Sequence, residues 1–251
     1  MTIKTEFNKN FRKWFVNDVL YAIKIYKMFE PNEKICVALS GGKDSIALLY
    51  ILWFINQYSW LKFQLSALHV KTAEYDTSIL QEFCEELKVP YYETQLFLTE
   101  KSLSKYACYI CSRLKRGAMS RFLQDKKIQK VAYGHHADDA AETFFMNMIK
   151  HKRLGSFSPK VDFEKYYINI IRPMIYLEEE TIIKLHKKVG LPVLDYQCPH
   201  EDKNIRSDFK ESLQQMNKIF HTRHFSRAVV KSLENIDWKN IWEDLKQDEQ
   251  D

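Results

Sequence analysis

Apolar residues fall along the chain in two patterns: short runs of β-favouring residues, and longer segments in which apolar positions recur every three or four residues. Short runs bounded by polar residues or glycine are typical of buried strands, and the longer period is typical of helices. The predicted strands are 35–39, 64–70, 91–97, 130–134 and 167–172. The predicted helices are 6–30, 46–55, 76–88, 108–125, 138–150 and 178–189. Their alternation predicts an α/β fold in which a parallel sheet carries helices on both faces.

These elements divide the chain into three parts. Residues 1–32 are predicted to form an N-terminal amphipathic helix, residues 33–200 the α/β domain, and residues 201–251 a helical C-terminal extension. The first helix has a basic face that includes Arg12 and Lys13. A charged face on a surface helix is usually just solvated, so solvation is preferred here over contact with RNA.

The strongest local signal is the stretch from Ile35 to Tyr50, in which a predicted strand is followed by Ser40-Gly41-Gly42 and a helix. Glycine has no Cβ and reaches positive φ without strain, so a ligand can approach the backbone closely. The helix N-terminus adds free N–H groups and the positive end of the helix dipole. The stretch therefore predicts a phosphate-binding loop. The alternative, a tight turn without a ligand, needs two adjacent glycines in a chain that has only six.

Composition limits the class of protein. The chain has 251 residues, of which 45% are hydrophobic, as in a globular protein. Its longest apolar run, 46–55, is about half the length that a bilayer span needs, so a soluble, cytoplasmic protein without membrane contact is expected. Five unevenly spaced cysteines argue against a disulfide framework. Between Lys101 and Lys130 there are nine Lys or Arg residues and one acid, which favours a polyanionic partner.

A second strand, loop and helix carries a group of acidic residues. The strand that ends at Gly134 is followed by His-His-Ala-Asp138-Asp139, and Glu142 lies one turn into the next helix. Helix capping explains an acid at such a position, and this interpretation is accepted for Asp138. Three acids that face a phosphate site also suit a magnesium ion, and one of them suits proton transfer.

Two cysteines open another predicted helix. Cys108 and Cys111 lie at its N-terminal end, where the helix dipole and nearby cations such as Lys115 favour the thiolate form. These thiols are therefore candidate metal ligands or reactive groups. Cys36, within a predicted strand, and Cys84, on a helix without another cysteine nearby, are interpreted as core or incidental thiols.

The string SGGKDS resembles the SGGxDS signature of the PP-loop ATP pyrophosphatases, which cleave ATP between its α- and β-phosphates. The resemblance implies a Rossmann-like fold that binds ATP and magnesium. The residues that it assigns to ATP binding are Ser40, Gly41, Gly42, Lys43, Asp44, Ser45 and Gly134.

A longer pattern resembles a narrower family. The strings CYICSRLKRG, GHHADD and IRP, followed by Cys198, occur in the order found in the tRNA 2-thiocytidine synthetases. These are iron–sulfur-dependent thiolases that place sulfur on cytidine 32 of tRNA. The likeness extends from about Phe11 to Arg206 and so covers most of the chain.

This second resemblance implies a set of ligands and partners. Cys108, Cys111 and Cys198 would hold a 4Fe-4S cluster with one open iron. Lys115 and Asp139 would stabilise charge and handle protons. In the implied reaction ATP adenylates the base, pyrophosphate leaves, and sulfur then displaces AMP. The implied partners are tRNA and a sulfur donor, either a cysteine desulfurase or sulfide, and a homodimer is one of the oligomeric states left open.

The chain departs from the family pattern in two places. Asp195-Tyr-Gln-Cys198 stands where many members have a second CxxC, and Ala137 replaces a frequent arginine. His200, close to Cys198, leaves structural zinc open as an alternative metal. The other functions left open are thiolation of a different base or of a small molecule, lysidine formation on tRNA, and a non-catalytic metal-bound RNA-binding module.

Overall fold

The computed structural model describes residues 12–96, 107–163, 166–195, 205–222 and 224–236, without the side chains of 12, 107–109, 205–208 and 214. The strands are β1 (Lys34–Ala38), β2 (Gln64–Lys71), β3 (Tyr91–Gln95), β4 (Lys130–Ala132), β5 (Lys160–Phe163) and β6 (Ile168–Ile171). A π-helical turn at Arg12–Val16 leads into the first of the helices, which are α1 (Asn17–Ile25), α2 (Lys43–Tyr58), α3 (Ser78–Glu86), α4 (Ala107–Asp125), α5 (Ala137–His151), α6 (Glu179–Val189), α7 (Ile205–Ile219) and α8 (Phe225–Glu234). No helix in these ranges is long and apolar enough to cross a membrane.

The strands form one six-stranded sheet in the order β3-β2-β1-β4-β6-β5. Strand β1 pairs in parallel with β2 on one side and with β4 on the other, so that Ile35 lies between Leu65 and Lys130. The chain builds the sheet outward from β1 in one direction and from β4 in the other. At such a switch point the loops after the two strands diverge and leave a crevice at the carboxyl ends, where open α/β sheets bind ligands.

The predicted α/β fold with a mainly parallel sheet is confirmed. The N-terminal helix is described from Arg12 and ends at Ile25, earlier than the hydrophobic pattern suggested. The pattern did not predict β5, which runs antiparallel to β6 with Val161 opposite Ile170. Two of the four residues of β5 are charged, so the segment has no apolar run of its own and forms a strand through its pairing with β6.

Helices cover both faces of the sheet, as alternate residues of β1 show. Ile35 and Val37 belong to the large core cluster that also contains residues of α1, α2, α3 and α6, whereas Cys36 packs in a second cluster with residues of α4. Helices α5, α7 and α8 share a third, smaller cluster. Every residue of α2 from Ser45 to Leu52 is buried, and this burial holds the first turn of α2 rigidly beside the loop that precedes it.

Candidate functional site

The loop between β1 and α2 is organised by the hydroxyl of Ser45. Its Oγ accepts hydrogen bonds from the Ser40 hydroxyl (3.0 Å) and from the Gly41 N–H (3.2 Å), and it donates to the Gly42 carbonyl (2.9 Å). Ser45 is only 4% exposed. The loop is therefore held by uncharged hydrogen bonds, while Gly42 and the N-terminal end of α2 stay open to solvent.

Gly41 and Gly134 are required by close backbone packing. Gly41 has φ +89°, and a Cβ there would lie 2.6 Å from the Leu194 Cβ, while the Leu194 N–H donates to the Gly41 carbonyl at 2.9 Å. A Cβ at Gly134 would lie 2.9 Å from the backbone carbon of Asp44 and from the nitrogen of Ser45. The loop after β4 therefore packs directly on the first turn of α2. Gly42 has φ −71°, so of the two loop glycines only Gly41 uses a conformation that favours glycine.

A buried histidine connects these two loops. The Nε2 atom of His136 lies 3.6 Å from Asp44 Oδ1 and 3.5 Å from Asp139 Oδ2, and its Nδ1 lies 3.4 Å from Asp138 Oδ2. Burial disfavours the charged ring, but the three carboxylates outweigh burial and raise the pKa of His136 to about 9. His136 is therefore protonated at neutral pH. No periodic position or candidate site in the sequence indicates this role for His136.

The structure separates the two aspartates of the GHHADD string. Asp138 accepts the Glu179 N–H at 2.7 Å and the Ser226 hydroxyl at 2.9 Å, so it caps α6 and attaches α8. Burial alone would raise the pKa of Asp138, and its contacts, first of all with His136, lower it instead. Asp139 accepts the His136 N–H at 3.0 Å. Within the described residues no three His, Cys, Asp or Glu side chains are arranged to hold a metal ion, and Asp138 already uses both of its oxygens.

Two lysines converge on one glutamate beside the loop. Lys43 Nζ lies 2.9 Å from Asp44 Oδ1 and 2.9 Å from Glu179 Oε1, and Lys210 Nζ lies 2.6 Å from the same Glu179 oxygen. Burial opposes the charge of Lys43, but Asp44 and Glu179 raise its pKa. The ammonium groups of Lys43 and Lys210 are thus held beside the start of α2, each paired with a carboxylate. No motif in the sequence marks Glu179 or Lys210 as part of the site.

The N-terminal part of α4 lies at the same edge of the sheet. Cys111 is partly exposed and forms no disulfide. Burial lowers the pKa of His69, at the carboxyl end of β2, with a smaller lowering contribution from the charge of Lys115, which lies one turn after Cys111 on α4. His69 bonds the Leu39 carbonyl at 2.7 Å, directly before the β1–α2 loop. Of the predicted metal ligands only Cys111 has a described side chain, because Cys198 and the side chain of Cys108 lie outside the described residues.

Aromatic rings and a buried arginine form the β6 side of the crevice. Arg172 Nε donates to His135 Nδ1 at 3.1 Å, and its guanidinium lies 4.7 Å from the centre of the Phe157 ring. The His135 ring stacks on Tyr133 at 5.7 Å. Burial lowers the pKa of Arg172 to about 10, so the side chain keeps its charge at neutral pH. The Arg172 guanidinium is therefore held by His135, the Ser158 carbonyl and the Phe157 ring.

Comparisons with known proteins agree on one family. Residues 4–214 match the model of the PP-loop domain. The tRNA-cytidine(32) 2-sulfurtransferase of Vibrio parahaemolyticus is 33% identical over 239 residues, which cover 92% of this chain and 80% of the relative. The enzyme of the same name from Saccharophagus degradans is 34% identical over 93% of this chain and 77% of its own. In fold, the chain is similar to the U34-tRNA thiolase NcsA from Methanococcus maripaludis, solved with its 4Fe-4S cluster, with a TM-score of 0.71, 20% identity, and coverage of 88% of this chain and 78% of that one.

Proposed function

Because the chain belongs to the PP-loop family and, within it, to the family of the tRNA-cytidine(32) 2-sulfurtransferases, we propose that it uses ATP to replace the 2-oxygen of cytidine 32 in tRNA with sulfur. The observation that carries this proposal is the meeting of three elements at the carboxyl edge of the sheet: the β1–α2 loop, the β4–α5 loop and the N-terminal part of α4 with Cys111. An anion-binding loop suits the activation of the base by ATP, and a thiol beside the same crevice suits the delivery of sulfur.

The first half is adenylation of the base. The loop from Ser40 to Ser45 binds the β- and γ-phosphates with the N–H groups that open α2 and with the Lys43 ammonium, supported by the dipole of α2. The 2-oxygen of cytosine attacks the α-phosphorus, an oxygen–phosphorus bond forms, and the bond to the β-phosphate breaks. Pyrophosphate leaves with both electrons of that bond. Magnesium binds together with the nucleotide phosphates, as is usual for hard cations.

The second half delivers sulfur. Cys108, Cys111 and Cys198 are the residues that would hold a 4Fe-4S cluster, and three thiolates suit a cluster with one open iron better than structural zinc, which takes four ligands. The described part of this donor set fits, because Cys111 is partly exposed, free of a disulfide and close to the crevice. When bound, the cluster supplies an iron position that accepts sulfide. The sulfur itself comes from a cysteine desulfurase or from free sulfide.

Two side chains of this chain act on the adenylated base. Lys115 stabilises the negative charge that develops when sulfur adds to the ring carbon, and Asp139 accepts the proton that is released as AMP leaves. This assignment is supported by the place of Lys115 on α4, one turn after Cys111, and by the position of Asp139 beside His136, whose ring also lies 3.6 Å from Asp44. Because Asp139 also accepts the His136 N–H, its carboxylate has one fixed orientation.

The test is the full reaction with anaerobically purified protein, ATP, sulfide and unmodified tRNA. We expect AMP and pyrophosphate in step with 2-thiocytidine, about four irons per chain, and loss of iron on Cys108→Ala, Cys111→Ala or Cys198→Ala but not on Cys84→Ala. Asp44→Ala should lose activity and keep its iron. Release of ADP and orthophosphate, or an unchanged 2-thiocytidine content of tRNA from cells without the gene, would contradict the proposal.

A further inference from the structure

A cavity of about 670 Å³ opens at the edge of the sheet opposite the crevice. Its walls come from the segment before β1, the end of α4, the start of β4 and the residue before β6. The volume is in the range of small-ligand sites. None of the residues that line it belongs to the loops described above, and the function proposed so far does not use it.

The cavity is cationic. Lys34, Lys127 and Lys130 line it together with one acid, Glu33. Glu33 is already paired, since its carboxylate lies 2.9 Å from Lys130 Nζ, and its contacts lower its pKa although burial opposes this. Lys34 and Lys127 are exposed and form no ion pair among the residues that the structure describes. Two uncompensated ammonium groups therefore face this cavity.

An unusual aromatic residue stands at the rim. Tyr167 is 69% exposed and has φ +52°, a backbone conformation that bulky residues rarely adopt. The preceding residue is held in place, because the Ser120 hydroxyl on α4 donates to the carbonyl of Tyr166, and the following residue, Ile168, is buried in the core. The backbone therefore presents the phenol ring to solvent at a fixed point beside the lysines. A ring of this kind with adjacent cations is the combination on which nucleic-acid bases stack.

Helix α4 connects this cavity with the crevice. It has 19 residues and is therefore about 28 Å long, with Cys111 and Lys115 near the crevice and Lys127 just beyond its other end. Arg113 and Arg121 are exposed between the two ends. An RNA that follows these cations from the crevice reaches the cavity.

We propose that this cavity is a second RNA-binding site, in which Lys34 and Lys127 each bind a backbone phosphate and Tyr167 stacks on a base of the tRNA outside its anticodon loop. The proposal rests on tRNA being the substrate of the crevice. The cavity anchors the body of the tRNA while the loop is modified near the other end of α4, about 20 Å away along the helix between Gln124 and Cys111. Whole tRNA should therefore bind more tightly than an isolated anticodon stem-loop, and this difference should depend on the cavity.

The test compares the double variant Lys34→Gln/Lys127→Gln with the charge-matched control Lys88→Gln/Lys218→Gln, whose lysines are exposed elsewhere. For whole tRNA the cavity variant should raise Kd about tenfold and reduce the salt slope by about two, because two phosphate contacts are lost. Its KM for tRNA should rise without a change in kcat, and its affinity for the stem-loop and for ATP should stay as in the unchanged protein. Equal losses in both variants would overturn the proposal.

Tyr167 provides a test that is independent of stability. Tyr167→Gly removes the ring at a position where glycine is favoured, so the protein should be at least as stable while its Kd for whole tRNA rises about fivefold or more. Tyr167→Phe should keep the affinity. If the cavity instead binds free AMP, and the substitutions in it leave tRNA binding unchanged, the cavity is a nucleotide site and the proposal is wrong. If the unchanged protein does not bind or thiolate tRNA, the function proposed for the crevice fails instead.

Discussion

The two loops that meet at the carboxyl edge are held by different forces. Around Ser40 and Gly41 the β1–α2 loop is held by the Ser45 hydroxyl and by the close packing of Gly41, and no charged group takes part in these contacts. The β4–α5 loop is held by the protonated ring of His136 among three carboxylates. We expect these contacts of the first loop to be sensitive to side-chain volume and insensitive to pH. The second loop should respond to any change of charge, and to volume at Gly134, where the two loops touch.

The largest effect is expected from Asp138→Ala. The substitution removes the acceptor of the Glu179 N–H and of the Ser226 hydroxyl and leaves a buried positive charge at His136 with less compensation. Breaking a buried charged network from one side costs about 3–5 kcal/mol of the free energy of unfolding. Urea unfolding at pH 7 measures this, with Asp162→Ala on the exposed side of β5 as the control, for which a change within about 0.5 kcal/mol is expected. Similar losses in both variants would mean that Asp138 does not hold the loop.

The pH dependence of stability should identify His136. Its pKa is raised to about 9 in the folded protein, so its contribution is fully present below the ordinary histidine pKa of about 6.5 and is lost as the pH rises through 9. The slope should approach but not exceed about 1.4 kcal/mol per pH unit. The lowered pKa of Asp138 affects stability at acid pH, where the protein becomes less stable as the pH falls through the folded-state pKa of this carboxyl group.

The substitution His136→Gln separates the contribution of His136 to the pH dependence of stability from the contributions of other titrating groups. In the variant, the free energy of unfolding measured between pH 6 and 10 should lose most of the decrease with pH that the unchanged protein shows in the alkaline range. An unchanged slope would show that another group is responsible and that the β4–α5 loop is not held by ionic contacts.

Gly134→Ala tests close packing at the point where the two loops touch. The added Cβ would lie 2.9 Å from backbone atoms of Asp44 and Ser45, which cannot move without disturbing α2. We expect a loss of about 1–3 kcal/mol, with a fall in ATP-dependent activity. Gly117→Ala is the matched control, since a Cβ there has no neighbour within 4 Å and alanine favours a helix, so its stability should stay constant or rise. Tolerance of Gly134→Ala would show that the loops adjust to each other.

The smallest effect is expected from Ser45→Ala. The Gly41 N–H and the Ser40 hydroxyl lose their acceptor, which costs about 1 kcal/mol in the free energy of unfolding. Because no titrating group takes part, the loss should be the same at pH 6 and pH 9. A loss that depends on pH would remove the distinction between the two loops.

Much of the site could be read from local sequence. The string SGGKDS predicts a strand, a glycine turn and a helix because apolar runs and glycines act over a few residues. The same holds for Gly134 and for the start of α5, which the structure brings to the same crevice. Helix capping by Asp138 was also expected, although the helix that it caps is α6 instead of its own.

What local patterns could not predict depends on contacts between distant parts of the chain. Strand β5 exists because β6 pairs with it, and Glu179 and Lys210 reach the glycine loop only through the packing of α6 and α7. No period or motif marks such residues, since their partners lie far away in sequence.

The sequence by itself determined the alternation of strands and helices, the glycine loop and the family, because these follow from rules that act between near neighbours. Only the tertiary structure decided that His136 carries a charge, since this depends on Asp44 from the other loop as well as on Asp138 and Asp139. It also decided that Lys34, Lys127 and Tyr167 share one cavity. The physical reason is the same in both cases: pKa values and surface potentials depend on distances through space, and these exist only once the sheet has formed.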